Sequence, residues 1–281
     1  MPALYAHYRF GEEVLKSLPD CFSVHVEKYP QAFALGTQGP DILFYHQPMK
    51  KNEIRSYGTY LHSLAAEQFY LDMAKLLLEN ANGESAEEVL TKNGAFAAYI
   101  CGFLCHFTLD VSTHKYIDDN SLVPPTHGKI ESEFDKYLLK KDGLPIRGYN
   151  TATPITDENG TSEACAKALG VPQENISAAI KTIRKINRYF TKKCELFHCL
   201  AHLILKIAGM ERKFGDMFVH KKDDPLCKEI CVVLNDKFEK AIPLGASLIE
   251  EYFSSLPALV QANKLNEIFR YNYSGVKITE E

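Results

Sequence analysis

The sequence predicts an all-α fold. Apolar residues recur at steps of three and four along most of the 281 residues, strand-like alternation is hard to find, and no internal repeat or low-complexity tract breaks the pattern. With 46% hydrophobic and 24% charged residues the chain can bury a large core. It is read as one multi-helix domain over 1–281, with roughly eight to ten helices.

Taking the elements in order, residues 60–79, "YLHSLAAEQFYLDMAKLLLE", put Leu61, Leu64, Ala65, Phe69, Met73, Leu76 and Leu77 on one stripe and predict an amphipathic helix. Ser85, with Glu88 three positions later, is a capping box that opens the next. An apolar helix runs from about Phe96 into the Asp110 region, and another starts after Pro124-Pro125 and reaches Lys141. The stretch 142–160, "DGLPIRGYNTATPITDENG", reads as a long surface loop between a half 1–141 and C-terminal helices in 161–281. Those helices are expected to end near Gly170, to run from about Pro172 to Ala208, to begin at Asp224-Pro225, and to span about Leu244 to Leu256.

Composition narrows the function classes. Against 36 Asp and Glu stand 32 Lys and Arg, and the short basic runs at 50–51, 140–141, 192–193 and 221–222 are scattered, so charge gives no argument for nucleic acid as an obligate partner. The first twenty residues lack the basic and apolar regions of a secretory signal, and the longest apolar stretch, Gly94 to Leu109, is short for a transmembrane segment. The expectation is a cytoplasmic protein whose eight cysteines are reduced thiols filling the core, since none form a CxxC pair.

The segment "GFLCHFTLDVSTHKYI", residues 102–117, departs from the apolar pattern. His106, Asp110 and His114 follow one another at intervals of four, and at about 100° per residue they share one face of a helix. A second pair at that interval, His127 and Glu131, lies on the next helix, and His7, Asp41 in "QGPDILFYH" and His62 in "GTYLHSL" stand upstream. Taken singly, His62 could be a hydrogen-bonded core residue and Asp41 the cap of a turn. Two groups joining His to a carboxylate within 26 residues point instead to metal, because a buried ionised carboxylate is costly unless it meets a cation. His, Asp and Glu without Cys suit catalytic rather than structural zinc, and eight donors suit two or three ions rather than one.

Other histidines are set apart. His198 and His202 form an HxxxH pair with no Glu after His198, so they are expected in the core or beside the site rather than among the ligands. His25 and His220 are expected on the surface, and His46 and Arg55 are sequence neighbours of the ligands with either a phosphate-contacting or a structural role.

The ordered series His7, Asp41, His62, "HFTLD" (His106, Asp110), His114 and "HGKIE" (His127, Glu131) resembles the zinc-dependent phospholipase C family, whose fold is shared with S1/P1-type nucleases. The resemblance covers roughly the first half of the chain. It implies that Asp41, His62, His106 and Asp110 surround one ion, that His114, His127 and Glu131 surround a second, and that His7 with Asp110 belongs to a third, with Asp110 as the bridge and Asp41 and Asp110 as the catalytic carboxylates. The implied activity is hydrolysis of a phosphodiester, a phospholipid among them, by a metal-activated hydroxide. A nuclease or small-molecule phosphodiesterase on the same scaffold, or a non-catalytic metal- or lipid-binding protein, is the alternative. The chain has no Trp to serve as the N-terminal ligand of the secreted members, and its interval from Asp110 to His114 is shorter than theirs.

Overall fold

The computed structural model describes residues 4–82, 85–207, 209 and 215–279. Among them are thirteen α-helices and no strand, the sole β-type contact being an isolated bridge between Tyr271 and Lys277. In chain order the helices are α1 (Leu4–Ser17), α2 (Asp20–Val26), α3 (Pro30–Gly36), α4 (Glu53–Ser63), α5 (Glu67–Leu78), α6 (Ala86–Asn93) and α7 (Ala95–Asp119). They continue as α8 (His127–Lys141), α9 (Thr161–Leu169), α10 (Gln173–Phe190), α11 (Glu195–Ile207), α12 (Lys228–Ser254) and α13 (Leu256–Ala262).

The apolar helix is the centre of the packing. Every residue of α7 from Phe96 to Asp110 is buried, and α1, α2, α3, α6, α8, α9 and α12 all lie against it. It is 25 residues long and its most apolar 18-residue window has a mean hydropathy of 1.4, enough by length and composition to cross a bilayer, yet 83% of that window is buried inside the protein. A helix apolar on all sides is what a core position demands.

Its closest neighbour is α3, and two glycines permit the approach. A Cβ on Gly36 would stand 2.1 Å from the Tyr99 carbonyl oxygen, and one on Gly102 would stand 2.2 Å from that of Phe33. Any larger residue would push the helices apart. Immediately after this contact the chain enters a 3₁₀ segment, Gly39–Tyr45, which carries Asp41. Gly39 has a φ of +50°, and a Cβ there would meet the His106 ring at 2.2 Å.

Side chains cap several helices, and the one at Ser85 was expected from sequence. Asn52 accepts from the Arg55 N–H at α4, Ser85 from the Glu88 N–H at α6, and Thr126 from the Lys129 N–H at α8.

Several boundaries differ from the sequence reading. The single stripe of 60–79 is two helices, because the chain turns at Leu64–Ala66, where the Ala66 N–H donates to the Tyr271 carbonyl. The segment 172–208 is likewise divided, as Thr191 is buried and its carbonyl accepts from the Gly148 N–H. Conversely, the start expected at Leu244 does not exist: α12 runs through Pro243. The Asp224-Pro225 signal holds, with the Asp224 side chain capping a 3₁₀ turn that leads into α12. Residues 142–160 form no helix, but they are not a surface loop throughout, since Arg147, Ala152 and Ile155 are buried. Nor are the cysteines all core filler: Cys21, Cys194 and Cys199 are exposed.

Candidate metal centre

The eight residues singled out in the sequence meet in one place. From α7, Asp110 projects into the core with its side chain 1% exposed, and its carboxylate faces three imidazoles: His106 Nε2 at 3.1 Å, His114 Nε2 at 3.2 Å and His7 Nε2 at 3.3 Å. The first two belong to the same helix, one turn to either side, and His7 arrives from α1 with its ring stacked 4.4 Å from that of His106. On one flank, Asp41 Oδ1 faces His62 Nε2 of α4 at 3.0 Å. On the other, Glu131 Oε1 of α8 lies 3.2 Å from His127 Nε2 and 3.5 Å from His114 Nε2. The one-turn interval from Asp110 to His114 therefore delivers His114 to both carboxylates.

Three sets of donor atoms are close enough to share an ion: Asp41, His62 and His106; His7, His106 and Asp110; and His114, His127 and Glu131. His106 and Asp110 stand between the two flanks. This differs in two details from the sequence-based grouping: His106 also joins the set with His7, and Asp110 is absent from the set of Asp41, His62 and His106.

The outer nitrogens explain why the inner ones point inward. His62 Nδ1 lies 2.7 Å from the Gly58 carbonyl, His106 Nδ1 3.2 Å from that of Thr37, and His114 Nδ1 2.9 Å from that of Tyr273. His127 Nδ1 lies 2.7 Å from Asp118 Oδ1. A carbonyl only accepts, so in each of the first three rings Nδ1 carries a proton, which leaves Nε2 as the nitrogen whose lone pair would face a bound ion. Position is enforced from further out as well. The Asp135 carboxylate accepts the Tyr5 and Ala6 N–H groups at the start of α1, directly before His7.

These residues fit a metal. Both Asp110 oxygens and His106 Nε2 are buried without a hydrogen-bond partner, and imidazole lone pairs aimed at carboxylates need a cation between them. Charge in the cluster reflects the same demand. Burial would raise the Asp110 pKa, but His106, His114 and His7 override it and hold the carboxyl well below the usual range. Burial likewise opposes ionisation of Asp41 and Glu131, and His62 and the His114/His127 pair respectively bring those values down. For His114, burial disfavours the cation, yet Asp110 and Glu131 push the pKa up to about 10. His106, the most deeply buried ring, is the exception: burial prevails and lowers it.

Residues set apart in sequence stay apart in space. His198 is buried with Nε2 2.7 Å from the Lys192 carbonyl and Nδ1 3.5 Å from Arg147 Nη2, while His202 stacks on His220 at 5.3 Å, so neither faces the cluster. Arg55 donates to the Pro48 and Lys50 carbonyls, a structural role, and His46 is buried outside the three donor sets. His25 and His220, expected on the surface, are partly exposed there, His25 lying 3.2 Å from Thr91 Oγ1. Asp118 was missed, although its signal was present: the step of four through 106, 110 and 114 continues to it. Tyr273, whose ring packs 5.3 Å from His62 and 5.8 Å from His106, carried no such signal.

The model of the zinc dependent phospholipase C family matches residues 6–207, which include all eight donors. No curated protein and no solved structure matches the chain. The match spans more than half of the chain, and helices with no strand among the described residues are the all-α architecture of that family and of P1-type nucleases. The chain belongs to the zinc-dependent phospholipase C family.

Proposed function

We propose that this protein is a cytoplasmic zinc-dependent phosphodiesterase of the phospholipase C type, whose substrate is a phospholipid. Family membership supports metal-dependent phosphoester hydrolysis. The observation that carries the site is Asp110, a buried carboxylate with neither oxygen hydrogen-bonded and three imidazole nitrogens within 3.3 Å.

In this reading Asp41, His62, His106 and Asp110 hold one zinc ion, His114, His127 and Glu131 a second, and His7 with Asp110 takes part in a third. Bound zinc supplies Lewis-acid chemistry, lowering the pKa of a water and neutralising charge on the phosphoryl oxygens. The chain's own part is to place and to move protons. Asp110 sits between the flanks, and its two oxygens allow one side chain to serve both. Asp41, oriented through Oδ1 by His62, is the proton acceptor for the water that attacks phosphorus, as the new O–P bond forms and the ester bond to the leaving alcohol breaks. The carbonyls of Gly58, Thr37 and Tyr273 hold the rings of His62, His106 and His114, so none of these three must reorient during turnover.

The test is hydrolysis of a chromogenic phosphodiester, phosphatidylcholine and single-stranded DNA, each with zinc and after chelation. Zinc-dependent release of phosphocholine supports the proposal. Zinc-dependent cleavage of DNA alone makes the protein a nuclease on this scaffold, and no turnover of any substrate by metal-loaded protein rejects catalysis.

A further inference from the structure

The hairpin of α10 and α11 has a surface that the metal centre does not explain. On α11, Leu196, Leu200, Leu203, Ile204 and Ile207 are each between 53% and 80% exposed. At about 100° per residue these five lie within an arc of roughly 100°, one continuous aliphatic ridge turned to solvent. Single exposed apolar residues are ordinary, but five in register on one helix are not.

The charge around the ridge is equally uneven. From Gln173 to Ile207 the chain has seven Lys or Arg against two Glu, a local charge of +5 in a protein of net −4. One of the two acids, Glu195, is already paired with Arg147 at 2.8 Å and Lys221 at 2.9 Å. Lys181, Lys185 and Arg188 line the exposed side of α10, and Lys193 stands at the turn.

We infer that the α10–α11 hairpin docks on an anionic lipid bilayer, the aliphatic ridge entering the headgroup boundary while the flanking cations meet lipid phosphates and carboxylates. The combination of an apolar helix face with flanking Lys and Arg is that of a helix lying in the membrane interface. A second copy of this chain fits less well, because a symmetric contact would bring two +5 hairpins together. The ridge residues Leu200 and Ile204 also line an apolar groove of about 450 Å³, shared with Met49, Tyr189, Phe190 and Phe197, that joins α11 to the segment that follows Asp41. Docking there would put the bilayer against Pro48 and Met49, a few residues after the 3₁₀ segment that carries Asp41. The inference goes beyond the proposed reaction, for it concerns binding and holds for a catalytically silent protein too.

Flotation of the full chain with phosphatidylcholine vesicles, with and without about a third phosphatidylserine, tests it. Expected are preferential binding to the anionic vesicles, weakening of that binding by salt, and a fall of at least about tenfold in the double variant Leu200→Asp/Ile204→Asp. Hydrolysis of a soluble chromogenic phosphodiester by that variant should be unchanged, which separates docking from turnover. A second variant, Lys185→Glu/Arg188→Glu, alters only exposed positions and should selectively weaken binding to the anionic vesicles. Absence of binding by the wild-type chain, or equal binding by wild type and both variants, overturns the inference. So does a concentration-dependent dimer that the Leu200→Asp/Ile204→Asp variant abolishes in a protein that leaves vesicles alone.

Discussion

Replacing Asp110 by Asn retains the shape of the side chain and removes one negative charge from the middle of the cluster. The site then has two carboxylates in place of three to balance its ions. At about 4 Å and an effective dielectric near 20, one unit charge interacts with another by about 4 kcal/mol, so each divalent ion loses at least that much attraction before relaxation. With half of it recovered by rearrangement, about 2 kcal/mol remains, some thirtyfold in affinity, and full loss corresponds to nearly a thousandfold. Bound metal should therefore fall after gel filtration, and zinc titration of the stripped variant should show affinity reduced by on the order of a hundredfold. Turnover of any substrate should fall at least as far. Metal content by elemental analysis and melting temperature are measured on the same sample, with zinc in slight excess and again after chelation. An Asp110 that merely accepts a proton from its neighbours would give a stability loss of about 1–3 kcal/mol with metal content unchanged. An Asn variant with full metal and full activity would refute the bridging role outright.

Further outcomes follow from other contacts. Asp118→Asn removes the anion that accepts from His127 Nδ1 at 2.7 Å and should weaken zinc at that flank by about 10- to 100-fold, read by titration, with little change in the melting temperature of stripped protein because both partners are partly exposed. Gly39→Ala forces a Cβ against the His106 ring at a φ of +50°, and should cost about 1–3 kcal/mol in denaturant unfolding while also lowering bound metal. Stripped protein should be sensitive to alkali in a way the zinc form is not. The His114 pKa is raised from 6.5 to about 10 by Asp110 and Glu131, so the stability this contributes is complete below pH 6.5 and is lost as pH climbs through 10. Melting temperature against pH, with and without chelator, reads the difference, and identical profiles for the two forms would contradict it.

Much of the centre was legible because its donors come from helices. Steps of four in 106, 110, 114 and in 127, 131 are a local property that sequence states directly, and α7 and α8 deliver those residues as spacing implies. Asp41, His62 and His7 were legible only as members of an ordered series, since nothing local distinguishes them from a turn cap or a core histidine. What escaped entirely was set by the backbone. A carbonyl at Thr37, Gly58 or Tyr273 is chemically the same as any other, and only packing decides which one an imidazole reaches. The helix breaks at 64–66 and 191–194 have that origin too: each is held by a hydrogen bond from a distant segment, invisible to a window of twenty residues. The glycine contact between α3 and α7 explains why Thr37 is within reach of His106 at all.

The Tyr273 carbonyl gives the centre a timetable. It accepts from His114 across 159 positions of sequence, so during synthesis the ring exists long before the group that fixes its proton. At translation speeds of about 5–20 residues per second, His114 spends on the order of ten seconds or more with both nitrogens uncommitted. Its neighbours His106 and Asp110 are present on the nascent chain from the start of that interval. Zinc encountering this early cluster would meet a His114 ring whose orientation nothing yet holds, and residue 273 is the last piece of chain needed to fix it.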